Sequence, residues 1–214
     1  MPKETFFILD DEKQEKVMRA AINEFSAHGF EKANIGLIAK NAAVAKGSIY
    51  QYFENKKELF LFSVKWSTDY LMKKYDIYSS YKNATTDVFD YLYSSSKDAW
   101  LQMREERELV IFIQDVFLGK YKNLTDESVS VMLKYANEYI IGLIRDGKKK
   151  GHIRQDIDDR MLSLFVTGAS TKIKEYLMIK AREAGDDIVD GDFEVYDKDI
   201  KAMIELLKNG MGAK

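Results

Sequence analysis

The 214-residue chain has no cysteine, one proline, at position 2, and two histidines. Without thiols it can have neither a disulfide framework nor a thiolate site. His28 precedes a helix-ending glycine and His152 follows one, so both read as helix-end residues; two distant histidines without cysteine make a poor zinc site. Proline confined to the extreme N-terminus leaves long helices unbroken. No apolar run approaches the roughly 20 residues needed to span a bilayer. The N-terminus lacks the basic-then-apolar order of a signal peptide, and a cytoplasmic chain is expected. No period-two alternation marks strands. There is no G-x-S-x-G elbow and no H-E-x-x-H pair. Gly142 to Lys148, GLIRDGK, meets most of a phosphate-loop pattern, but Lys149 stands where a hydroxyl should hold magnesium and no strand precedes it. No catalytic set, metal site or cofactor is therefore expected. With 46% hydrophobic residues, the chain has enough apolar material for a sizeable helical core.

Asn34 to Leu59, NIGLIAKNAAVAKGSIYQYFENKKEL, organises what is present. Ile35, Ile38, Ala39 and Ala42 recur at helical spacing, and Ala43-Val44-Ala45 has room only for a turn. Ile49 and Phe53 then stand four apart on the next helix. This spacing predicts a helix-turn-helix unit with one face committed to core. Lys46, Gly47, Ser48, Tyr50, Gln51 and Tyr52 are left for the outer face of the second helix, a surface small and polar enough for a major groove. Asn34 is the expected cap of the first short helix. Asn55, with Glu58 three residues on, is the expected cap of the third, placing Lys56 at a positive helix end suited to phosphate. The net charge is only −2, yet residues 32 to 57 hold lysines 32, 40, 46, 56 and 57 against Glu54. The basic character is local. Residues 186 to 197 carry Asp186, Asp187, Asp190, Asp192, Glu194 and Asp197 with no base.

Residues 11 to 59 resemble the DNA-binding domain of the TetR-like (tetracycline-repressor) transcriptional regulators. The match is carried by Ala20-Ala21, Phe25, Gly29, Ile38-Ala39, Val44, Lys46-Gly47, Ile49-Tyr50, Phe53, Lys56 and Leu59. Ala43 and Ala45 stand where that pattern usually has Gly in the turn and Ser before the recognition helix. Gly36 and Leu37 replace its usual polar pair. The resemblance implies an all-α chain: a three-helix DNA-binding domain over residues 1–55, then a helical ligand-binding and dimerisation domain over 56–214.

The rest of the chain fits that plan. Phe6 to Leu9 forms an apolar arm before a helix expected to start at an Asp11–Gln14 capping pair and to end at His28-Gly29. A long helix runs from Lys56 through Phe62, Trp66 and Tyr70 toward Ile77. A break at Lys82-Asn83-Ala84 precedes a helix capped by Thr85 or Thr86. A polar cluster at Arg104 to Arg107 interrupts the pattern before a helix ending at Gly119, and Thr125 opens another that reaches Lys150. Asp158 is a further expected cap, and Ser163, Thr167, Gly168, Ala169 and Ser170 would allow close helix approach on the helix behind it. Gly185 to Tyr196 is expected as a solvated acidic linker, only loosely like a calcium loop because Ile188 occupies a ligand position. A last helix is expected near Lys198 to Asn209. The final two helices could pair with their copies into a four-helix homodimer interface.

These features predict a repressor binding a near-palindromic double-stranded operator through Asn34, Lys46, Gly47, Ser48, Tyr50, Gln51, Tyr52 and Lys56. A small, largely apolar effector would contact Trp66, Tyr70, Tyr93, Trp100, Phe112 and Asn137; ordinary core packing is the competing account of the aromatic set. The alternative function is a helical DNA-bound scaffold regulated by a protein partner.

Overall fold

The computed structural model describes residues 1–75, 81 and 85–213, except for the side chain of Tyr135. The expected helix end near Ile77 and the break at Lys82, Asn83 and Ala84 lie outside the described residues. Among those described, the regular elements are helices: α1 (Glu4–Phe7), α2 (Asp11–Lys32), α3 (Ile35–Asn41), α4 (Lys46–Tyr52), α5 (Lys56–Tyr75), α6 (Val88–Met103), α7 (Arg107–Phe117), α8 (Thr125–Lys149), α9 (Asp159–Glu183) and α10 (Phe193–Met211). A lone β-bridge joins Ile153 and Gly212. The chain forms two compact units, Met1–Tyr70 with Glu108–Met132, and Leu71–Arg107 with Leu133–Lys214.

In the first unit, Val17, Met18, Ala21, Ile22 and Phe25 of α2 are buried with Ile38, Ile49, Phe53, Leu59 and Phe60. Each such large side chain contributes about 1.5–3 kcal/mol by leaving water. The cap of α2 is Asp10, which accepts from the amide of Lys13 at 2.8 Å, and not Asp11 as expected. Gln14 instead donates to the Leu9 carbonyl. Regular helical geometry breaks at Gly29, whose φ is +69°, and the chain then makes one further turn to Lys32. Asn55 caps α5 through the Glu58 amide at 2.9 Å, while the Glu58 carboxylate accepts from the Glu54 amide at 2.7 Å. That reciprocal arrangement secures the start of the long helix.

The second unit corrects two sequence expectations. Asp87, rather than Thr85 or Thr86, caps α6 by accepting from the Phe89 amide. The acidic segment after α9 is a docked loop and not a solvated linker. Arg107 pairs with Asp187 and Asp190, and Arg104 pairs with Asp192 and donates to the Gly191 carbonyl. Ile188 and Val189 are buried beneath those pairs. The acidity therefore matches two arginines far away in sequence, and helix α10 opens five residues earlier than expected, at Phe193. Asp158 caps α9 through the Met161 amide, as expected.

Candidate nucleic-acid interface

Helix α3 is capped by Asn34, whose side chain accepts from the Gly36 amide at 2.7 Å. Its end turns through Ala42 into Ala43, where the Val44 amide bonds the Ala39 carbonyl and the Ala43 amide bonds the Lys40 carbonyl. This is the Schellman arrangement, which requires a left-handed residue. Ala43 takes that conformation at φ +55° without being glycine, so the turn is built at some conformational cost.

Helix α4 is only seven residues long, and Ala45 offers it no side-chain cap. So short a helix needs tertiary support. The N-terminal arm provides it. The Lys3 amide and ammonium donate to the carbonyls of Tyr52 and Tyr50 at 2.9 and 3.0 Å, and the Thr5 hydroxyl donates to the Gln51 carbonyl at 2.5 Å. These are the otherwise unsatisfied carbonyls of the last helical turn. Phe6 is fully buried and packs against Tyr52, Phe53 and Phe62, and the chain's first amine pairs with Glu58.

With Ile49, Tyr52 and Phe53 buried, α4 presents Lys46, Gly47, Tyr50 and Gln51 as exposed residues, with Ser48 half-buried among them. Space around Gly47 is open for an approaching backbone or base edge. Asn34 is also exposed. Tyr52 departs from the expected set: its ring is only 9% exposed because the arm covers it. Lys56 departs in a different way. Its ammonium donates to the Glu31 carbonyl at 2.9 Å, lies 3.4 Å from the Ala33 carbonyl and sits over the Phe30 ring, closing the end of α2. Lys57 pairs with Glu127 at 2.7 Å. Lys32, Lys40 and Lys46 are exposed and have no ion pair among the described residues. Lys32 and Lys40 were visible in the sequence as part of the local basic count but carried no motif signal of their own.

The expected effector residues are engaged within each unit. In the first, Trp66 and Tyr70 are half-buried, with ring centroids 4.9 Å apart, and Phe112 is fully buried against Phe60 and Tyr121. In the second, the Tyr93 hydroxyl donates to Asp197 at 2.6 Å, and the Trp100 indole donates to the Gly191 carbonyl at 3.0 Å. Both rings pack on Phe193. Asn137 accepts from the Ser163 hydroxyl. Two open clefts of the second unit, of about 220 and 330 Å³, are lined by none of these six residues.

A seven-residue helix with a polar free face, set behind a capped helix and a tight turn, defines a helix-turn-helix DNA-binding protein. Residues 17–61 match the family described as bacterial regulatory proteins, tetR family. The chain is similar to YhgD, an HTH-type transcriptional regulator of Bacillus subtilis, at 28% identity over 67% of this chain and 73% of that protein. It is also 28% identical to IcaR of Staphylococcus aureus, a negative transcriptional regulator of the biofilm operon icaADBC, over 59% of this chain and 69% of IcaR. Among solved structures, FadR of Bacillus subtilis in complex with stearoyl-CoA shares the fold with a TM-score of 0.65 at 19% identity, covering 92% of this chain and 98% of that one. The chain is a transcriptional regulator and not an enzyme. No helix among the described residues is long and apolar enough to cross a membrane.

Proposed function

We propose that the chain represses transcription as a homodimer on a near-palindromic double-stranded operator and leaves the DNA when a small, largely apolar effector binds. The observation that carries this reading is the free face of α4, polar and exposed on a helix whose other face is fixed in the core. Gln51 is the proposed base reader, because an amide can bond adenine bidentately in the major groove. Lys46, with Lys32 and Lys40, supplies phosphate contacts; Lys56 chiefly holds the end of α2, leaving one ammonium proton for the backbone.

The second unit supports dimerisation. Met161, Leu164, Phe165, Tyr176 and Ile179 of α9 are exposed, as is Leu206 of α10. A regular apolar face left open on a folded unit suits a second copy of the chain. The FadR complex with stearoyl-CoA supports an acyl-bearing effector for this chain as well. Within the second unit Tyr93 and Asn137 keep accessible surface for such a ligand, with Trp100 as a buried wall; Trp66, Tyr70 and Phe112 belong to the first unit. Effector binding must favour the DNA-incompetent state over the competent one, since equal affinity for both shifts nothing.

The test is a gel shift with DNA upstream of the chain's own gene and of its divergent neighbour, followed by footprinting. Two protected half-sites about 34–36 Å or a multiple apart are expected. Binding without sequence preference, or as a monomer, would remove the reading.

A further inference from the structure

Between Leu9 and Trp100, only two large apolar side chains among the described residues are strongly exposed, Leu37 at 42% and Tyr50 at 47%. Both stand on the helix-turn-helix. A single exposed leucine is ordinary on a protein surface, but Leu37 lies within a face that is otherwise small, polar or basic. Helix α3 turns Ile35, Ile38 and Ala39 into the core and leaves Leu37, Lys40 and Asn41 exposed. Leu37 and Lys40 are three apart and so are neighbours on that outer side.

The start of α3 meets the start of α4. A Cβ at Gly36 would lie 3.1 Å from the Asn34 amide oxygen and 3.9 Å from Cδ of Lys46, so the aliphatic stem of Lys46 passes alongside the residue next to Leu37. Lys46 and Tyr50 are in turn four apart on one side of α4. Leu37, Lys46 and Tyr50 therefore form one strip of surface that runs from α3 onto α4. Lys40 and Lys46 flank Leu37 and have no ion pair among the described residues. Positive charge on both sides suits a nucleic-acid backbone and makes the strip an extension of the exposed face of α4.

Leucine can neither donate nor accept a side-chain hydrogen bond. On the major-groove edges of the bases the apolar group is the C5-methyl of thymine, so an apolar side chain turned on that groove has one chemical partner there. We propose that Leu37 is a specificity-determining residue that packs on a thymine methyl group in each half-site, beside the base pairs read from α4. This rests on the operator-binding reading above and adds to it a base contact from the preceding helix. Removing both apolar surfaces from water rewards thymine over a base without the methyl group, with no hydrogen bond involved.

The test uses the full chain and the duplex that the wild type enriches most from a random-sequence library. Each thymine of that duplex is replaced singly by deoxyuridine, which removes the methyl group and leaves the hydrogen-bonding edge intact. At one thymine of each half-site the wild-type affinity should fall about fourfold, the equivalent of one buried methyl-sized group. Leu37→Ala should bind the thymine duplex about fourfold more weakly and the deoxyuridine duplex as tightly as the wild type does, which also certifies that the variant is folded. Leu37→Met should keep most of the methyl preference. Equal weakening of both duplexes by Leu37→Ala, a methyl effect that persists in that variant, or one that Tyr50→Ala alone abolishes would each overturn the proposal. Enrichment of a sequence with no methyl-sensitive thymine removes Leu37 as a reader and leaves operator binding standing. Failure to enrich any sequence would remove operator binding itself, and the proposal with it.

Discussion

Helices α4 and α9 differ in what their outward faces carry. On α4 the apolar residues Ile49 and Tyr52 face inward and the polar Lys46, Tyr50 and Gln51 face outward, the ordinary arrangement for a helix on a folded domain. On α9 the outward face holds the exposed Met161, Phe165 and Ile179, while Leu162, Ser163, Val166, Leu177, Met178 and Ala181 are buried. A face that is polar and outward is content in water until DNA replaces the water. A helix that is apolar on its outward face as well as its inner one lacks a partner outside within a single chain. The proposed partners follow that contrast: nucleic acid at α4 and a second copy on the outer face of α9.

The largest effect that can break this contrast is expected at Phe6, whose ring holds the arm beneath α4. Phe6→Ala should cost about 3–5 kcal/mol of stability in thermal or urea unfolding. Operator affinity should fall even below the unfolding transition, because the Lys3 and Thr5 contacts would lose their anchor. Next comes Gly168→Glu, which alters the outer face of α9 where an added side chain meets open space. The monomer should fold normally, while sedimentation shows dimer loss and operator affinity drops roughly a hundredfold or more as the two half-sites lose their linkage. A full-affinity dimer would place the interface elsewhere.

Smaller effects sharpen the account of α4. Gln51→Ala should remove about 1–3 kcal/mol of discrimination at one base pair and leave non-specific binding intact, as read by competition with single-base operator variants. Lys46→Ala should instead weaken all sequences alike and reduce the slope of log affinity against log salt by about 0.9. Lys56→Ala should lower stability by about 1 kcal/mol through loss of its carbonyl contacts, with a smaller change in salt slope than Lys46→Ala. Ala43→Gly should stabilise the first unit by about 0.5–1 kcal/mol, since glycine adopts the left-handed turn conformation without strain. A loss of stability on that change would mean that the methyl group contributes more by packing than it costs by conformation.

Residue spacing alone determined the helix-turn-helix. The periods of Ile35, Ile38 and Ile49, the Asn34 and Asn55 caps and the three-residue turn are local features, governed by backbone hydrogen bonding within a few residues. Local chemistry likewise determined the cap at Asp158 and the predominantly helical class. Tertiary structure decided whatever depended on residues distant in sequence. Tyr52 left the outer face because Phe6, nearly fifty positions earlier, covers it, and Lys56 turned to the carbonyls of α2. The acidic segment near Asp190 docked because Arg104 and Arg107 reach it from another helix. Charge and aromaticity are long-range in effect and indifferent to sequence order, so the partner that satisfies them is chosen by the fold.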